Sequence, residues 1–444
     1  MRRVCLALPT NRACPTTITA LAREALYAVE HFDVEVHLLV LDSCDPAVYA
    51  KHAEALRARP EHPRIVAHHL NEVQQRDFLE RAAGNTDTAK PRLLLDLMLP
   101  QRLSYGACTN RAFLVALALG CSSVHRRDSD SHYQTAPDSG AVFPVHHELA
   151  SLGRRAADAA KDVSRTDLAA EHAGRRVAMV GSSFVGEPSV DISEMAHADP
   201  EAYYDVVSLW APMHWPAERK RELVAESFLG AGQEVFERDS STLTLVDPMR
   251  VDMCNIAFHD VHARVPLPPA TDTIGSDYFL IHLVHSAGLP GVLHNRNIVN
   301  YYTAERRTDA GFVAYQTRFV KFLLSMHYFN FLYDRLAEAG PALLDGHGEV
   351  RGALVAGFAR QSMGLDQDEN RERLARVDSA YRRLGGRYAD FADRLLPLRE
   401  SLLEEAREDI GDFAVLTEAW GDLVHAARRT PVHAAAAGDR EAGR

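Results

Sequence analysis

Apolar and polar positions alternate in blocks along the first third of the chain. Residues 4–9 form a short apolar run ended by Thr10-Asn11-Arg12. Ile18, Leu21, Leu26 and Val29 then recur at helical spacing. Residues 34–41 read as a buried strand stopped by Asp42-Ser43-Cys44-Asp45, 47–58 as a helix and 64–68 as a third strand. Strands alternating with helices predict a parallel sheet covered on both faces. In open sheets of this kind, ligands bind at the carboxyl ends of the strands.

Residues 105–119 read as a buried helix with Gly120 as its C-cap. A strand at 122–126 follows, and it runs into Arg127-Asp128-Ser129-Asp130. Residues 148–172 are polar and alanine-rich and predict helix. Further strands are expected at 176–180, 243–246, 253–258 and 291–294, with an amphipathic helix at 274–287. From about residue 310 the pattern is helical throughout, and the aromatic stretch 326–333 reads as core. The expected organisation is a catalytic domain over 1–308, a helical subdomain over 309–430 that could cover the acceptor side or offer a homodimer interface, and a disordered tail over 431–444.

Composition narrows the function. The 444 residues are 46% hydrophobic and 25% charged, an ordinary globular balance. A net charge of −12 argues against an extended nucleic-acid surface. No apolar run approaches the roughly 20 residues of a membrane span, and the first run is too short for a signal peptide. The six cysteines form no C-x-x-C pair and read as reduced thiols of a cytoplasmic protein.

The chemistry concentrates at Asp128 and Asp130. Two carboxylates at i and i+2 after a buried strand offer hard oxygen ligands for Mg²⁺ or Mn²⁺. Such a metal can neutralise a diphosphate leaving group. Arg12, Arg111, Arg126 and Arg127 are guanidiniums that could meet a phosphate, with Arg12 and Arg127 favoured. No glycine-rich dinucleotide loop, P-loop lysine or G-x-S-x-G elbow accompanies them.

Over residues 3–303 the chain resembles GT-A glycosyltransferases, in particular the family-2-like group with the mannosylglycerate and glucosyl-3-phosphoglycerate synthases. The resemblance rests on Leu8-Pro9-Thr10-Asn11-Arg12 as nucleotide loop, Leu41-Asp42-Ser43 as nucleoside contact, the small-residue helix carrying Asn110 and Arg111, and Asp128-Ser129-Asp130. It implies a Rossmann-like, mostly parallel core with a C-terminal helical subdomain. It implies that Pro9, Thr10, Arg12, Asp42, Asn110, Arg111, Arg127 and Ser129 hold a nucleotide-diphosphate sugar, and that Asp128 and Asp130 hold the metal. Asp277, in Asp272-Thr273-Ile274-Gly275-Ser276-Asp277, matches the acid beside the acceptor hydroxyl, with Asp272 its rival. His294, in Gly291-Val292-Leu293-His294, matches a histidine metal ligand. His282 is expected to be structural or pocket-lining. The implied activity is sugar transfer to a soluble small-molecule acceptor, retaining or inverting. A sugar nucleotidyltransferase and a non-catalytic GT-A-like binding protein are the alternatives.

Overall fold

The computed structural model describes residues 1–86, 90–136, 140–187, 192–232, 235–301 and 308–432. Nine strands build the main sheet. In chain order they are β1 (Arg2–Thr10), β2 (Val34–Asp42), β3 (Ile65–Asn71), β4 (Ser123–Arg127), β5 (Arg165–Asp167), β6 (Met179–Gly181), β7 (Ser241–Thr244), β8 (Asn255–His259) and β9 (Gly291–His294). They lie side by side in the order β3-β2-β1-β4-β8-β6-β9-β7-β5. β1 to β4 are parallel, β8 runs against both β4 and β6, and β9 is parallel to β6. At the far edge β7 runs against β9 and carries β5 parallel to it.

The near-continuous apolar runs of β1 and β2 follow from burial on both faces. Val4, Leu6 and Leu8 pack with Ile18, Leu21 and Val29 of the Pro15–His31 helix. Cys5 and Ala7, offset by one residue, enter a second core on the other face. That second core also contains Phe319, Phe413 and Trp420 from the C-terminal helices, together with Phe113 and Phe258. Trp420 Nε1 donates to the His262 carbonyl at 3.0 Å. Each such fully buried large side chain contributes about 1.5–3 kcal/mol, so these helices are integral to the sheet's own core.

The C-terminal region consists of helices Asp309–Ala339, Gly352–Ser362, Asp368–Leu384, Gly386–Leu395 and Arg399–Ala427. Among the described residues no sheet strand follows residue 300. Two expectations change. Residues 148–172 are not one helical stretch: short helices Val145–Ser151 and Ala156–Ala159 are followed by β5 and a single 3-10 turn. The helix expected at 274–287 begins only at Phe279, because Asp272 and Gly275 have φ of +45° and +70° and break the segment before it. Asp277 therefore sits in a turn ahead of the helix. Among the described residues no helix is long and apolar enough to cross a membrane.

Candidate functional site

β1, β2 and β4 end at one edge of the sheet, with Thr10 opposite Asp42 and Ala7 opposite Arg126. The chain order reverses on either side of β1, which makes this edge the switch point where α/β sheets take up ligands. Since β8 is antiparallel to β4 and pairs Asn255 with Arg127, its beginning lies at that same edge. Asp252 is thereby brought beside Asp128, and Asp277 arrives from the turn before the Phe279–Ser286 helix. Arg126, Asp128, Asp130, Asp252 and Asp277 all line one cavity of about 190 Å³.

The charges in this cavity are unbalanced. The Arg126 guanidinium lies 3.1 Å from Asp128 Oδ1 and 3.2 Å from Asp277 Oδ2, and donates to the Met253 carbonyl at 2.7 Å. Arg12 Nη1 donates to Asp130 Oδ2 at 2.8 Å. Asp252 accepts from the Tyr278 hydroxyl and, at 2.9 Å, from the Cys254 N–H. Four aspartates thus face two guanidiniums, and Glu226 lines the same cavity. Partial burial pushes Asp128 above the usual carboxylate range; Arg126 opposes the shift, and the like charges of Asp130, Asp277 and Asp252 add to it. Burial, with Asp252, likewise raises Asp277 above the usual carboxylate range.

Arg127 points the other way, because successive strand residues alternate between faces. Its Nε and Nη2 donate to Glu24, and both Nη groups donate to Glu148. His125 Nδ1 bonds the same Glu148 at 2.7 Å, and Glu24 also accepts from the Val145 N–H and the Tyr133 hydroxyl. Arg127, Glu24, Glu148 and His125 are all buried. Arg127 is consequently unavailable to a phosphate; Arg126 is the β4 arginine that enters the cavity.

His294 does not complete the carboxylate site either. It is buried, its ring stacks on His147 with centroids 5.2 Å apart, and its Nδ1 accepts from the Arg296 N–H. Burial holds its pKa far below the ordinary value, with His147, Glu148 and Arg127 among the charges that act on it. Its surroundings are those of Arg127, and it does not line the cavity.

The Tyr105–Ala118 helix has a different task from the one its sequence suggested. Asn110 clamps the backbone of Leu267, donating to its carbonyl and accepting from its N–H, each at 2.8 Å. One turn earlier, a Cβ on Gly106 would lie 1.8 Å from the Pro268 carbonyl oxygen, so only glycine permits the approach. Arg111 is buried and donates to Gln75 Oε1 and the Met98 carbonyl. Neither Asn110 nor Arg111 reaches the cavity.

Pro9 and Thr10 end β1, where the Thr10 hydroxyl accepts from the Arg12 N–H and closes the turn. The Ser129 carbonyl accepts from Thr17. Asp42 Oδ2 accepts from His52 and His69 at 2.7 and 2.8 Å, and its Oδ1 from the Cys44 N–H. Burial alone would raise its pKa; these hydrogen bonds bring it well below the usual range. Asp42, Cys44 and His52 are close enough to suggest a metal triad. His52, however, gives Nδ1 to Asp42 and accepts the Cys14 N–H at Nε2, so neither nitrogen is left for a cation. Asp272, the rival to Asp277, lies outside the cavity in a surface pair with Arg102.

Asp252 and the aromatic lining of the cavity did not stand out in the sequence as site residues, and Arg126, a candidate phosphate contact, ranked behind Arg127. Of these, Arg126 had a usable signal: it shares the parity of Asp128, and Arg127 does not.

The match of a family model to residues 2–436 identifies the class: this chain belongs to DUF6271, a family of unknown function. No curated protein matches the sequence. Among solved structures, a mannosyltransferase from Pyrobaculum calidifontis in complex with GDP-Man and Mn²⁺ is 13% identical, with 94% of this chain and 88% of that chain covered and a TM-score of 0.34. A likeness at that level decides nothing about this chain's chemistry.

Proposed function

We propose that this protein is a metal-dependent glycosyltransferase of the GT-A type that moves a sugar from a nucleotide-diphosphate donor to a small-molecule acceptor. The observation that carries the reading is the convergence of Asp128, Asp130, Asp252 and Asp277 on one cavity at the sheet's switch point. Their surplus of negative charge and all-oxygen donors suit Mg²⁺ or Mn²⁺. Asp128, Asp130 and Asp252 are the residues that would hold the ion. When bound, it supplies charge neutralisation to the departing nucleoside diphosphate.

The chain's own groups would do the rest. Arg12, half-exposed at the end of β1, can meet a phosphate oxygen while keeping Asp130 in place. Arg126 fixes Asp128 and Asp277 relative to each other, so donor and acceptor sides keep one geometry. Asp277, with its raised pKa, is a better base than a solvated carboxylate. In an inverting transfer it takes the acceptor hydroxyl's proton as the new C–O bond forms and the bond to phosphate breaks. In a retaining transfer it orients the acceptor.

The test is a panel of nucleotide sugars with Mn²⁺ and a set of small alcohols. Release of nucleoside diphosphate that depends on both metal and acceptor is the expected result. Release of pyrophosphate from sugar phosphate and nucleoside triphosphate would indicate a nucleotidyltransferase and overturn the reading.

A further inference from the structure

The same cavity is also lined by Trp210, Phe228, Phe322, Met326 and Tyr333, and a Cβ on Gly275, two residues before Asp277, would lie 2.9 Å from the Phe322 ring. Three come from the Asp309–Ala339 helix, whose aromatic stretch the sequence presents as plain core. Trp210 stacks on Phe228 with centroids 5.0 Å apart and meets Phe322 edge-on at 5.6 Å. His282 stacks on Tyr333 at 3.8 Å.

Phe228 has a φ of +64°, a conformation that bulky side chains rarely adopt and that collects at ligand-binding positions. The loop that carries it is tied down: Ala231 N–H donates to the Phe184 carbonyl at 2.7 Å. The next glycine, Gly230, also has positive φ, and a Cβ there would fall 2.6 Å from that same carbonyl. The chain thus holds Phe228 in an unfavourable backbone state with its ring against Trp210.

We infer that this wall is the acceptor subsite, and that the acceptor is an alcohol whose hydroxyl lies next to a single aromatic ring. This rests on the glycosyltransferase reading above. The whole cavity is about 190 Å³, below that of a drug-sized site, and the ion and the donor's reacting end would share it, so the part left to an acceptor admits at most one ring and a short linker, and not a lipid chain. A sugar acceptor would bury hydroxyls against Phe228, Phe322 and Met326, which offer them no hydrogen bond, so its polar contacts would fall to the other lining groups, among them Glu226, Asn300 and Tyr315. An aromatic ring instead extends the Trp210–Phe228 stack, which leaves its hydroxyl to Asp277 in the same cavity.

Calorimetric binding of benzyl alcohol and of methyl α-glucoside to the full-length protein tests this without any turnover. Benzyl alcohol is expected to bind at least about tenfold more tightly than the glycoside. Phe322→Ala and Met326→Trp should each weaken benzyl alcohol binding about tenfold or more. Met326→Trp fills the cavity with apolar volume, so it decides the matter if Phe322→Ala fails to fold. Tighter binding of the glycoside, or wild-type benzyl alcohol binding by Met326→Trp, would overturn the inference. Benzyl alcohol binding without nucleoside diphosphate release from any donor would keep the aromatic-alcohol subsite and remove the transferase reading. Release with glycosides alone would keep the transferase and remove the subsite.

Discussion

Arg126 and Arg127 are adjacent in one strand, yet they serve opposite ends. On the Arg127 face, the guanidinium is gripped by two carboxylates, Glu24 and Glu148, with His125 on the second, and none of these groups reaches solvent. On the Arg126 face, the guanidinium divides itself between Asp128 and Asp277, with Asp130 and Asp252 nearby, and Asp128 is 33% exposed. Both faces are rich in buried charge. What separates them is closure: one network is saturated with hydrogen bonds, while the other keeps uncompensated negative charge beside an open cavity. Surplus charge with access marks the site; saturated charge marks the frame that holds β4 in place.

The strongest way to break this comparison is Arg127→Met. Removing one partner of a buried ion pair costs about 3–5 kcal/mol, here by stranding Glu24 and Glu148. A urea melt should show that loss. Asp128→Asn, on the other face, should leave the protein at least as stable as wild type, since it relieves like-charge crowding. Equal destabilisation by the two changes would dissolve the distinction.

Asp277→Asn comes next. General-base catalysis contributes about 10²–10⁴-fold, so single-turnover transfer should slow by at least the lower figure. Donor affinity, measured alongside, should hardly change. A wild-type rate would remove Asp277 from the chemistry.

A smaller effect is expected from pH on the closed face. Burial, with the nearby Arg296 and His147, lowers His146 to about 4. A histidine with a depressed pKa binds its proton more readily in the unfolded chain. Its contribution is therefore present above about 6.5 and is lost as pH falls through about 4. Glu148 is held near 2: burial alone would raise it, but Arg127 and His125 outweigh that effect. Its contribution disappears from about 4.5 downward. Stability should fall on acidification between pH 6.5 and 4, and His146→Gln should flatten that fall by on the order of 1 kcal/mol. An unchanged slope would show that His146 does not titrate as its surroundings require.

The alternating strand and helix pattern made the sheet legible, since buried parallel strands have runs as distinctive as those at 4–9 and 34–41. Asp128 and Asp130 were legible too, as acids directly after such a strand. Asp252 was not: it joins them only because β8 runs antiparallel, and strand direction leaves no trace in a short apolar run. Arg127 was preferred over Arg126 for want of the two-residue parity that places one in the cavity and the other in the frame. Asn110 and Arg111 resembled a diphosphate contact, yet a helix of small residues with an amide equally suits the close approach of backbone at 267–268. The aromatic stretch at 326–333 read as core because apolar cavity walls and apolar cores have the same composition. His294 followed an expected spacing, but its strand places it with His147.

Mn²⁺ titration by calorimetry tests the division between the two faces most directly. Wild type and His294→Ala should bind one Mn²⁺ with similar affinity, whereas Asp128→Asn should lose affinity by about a hundredfold or more. Undiminished binding by Asp128→Asn, or loss of binding in His294→Ala alone, would place the metal on the wrong side of β4 and contradict the site.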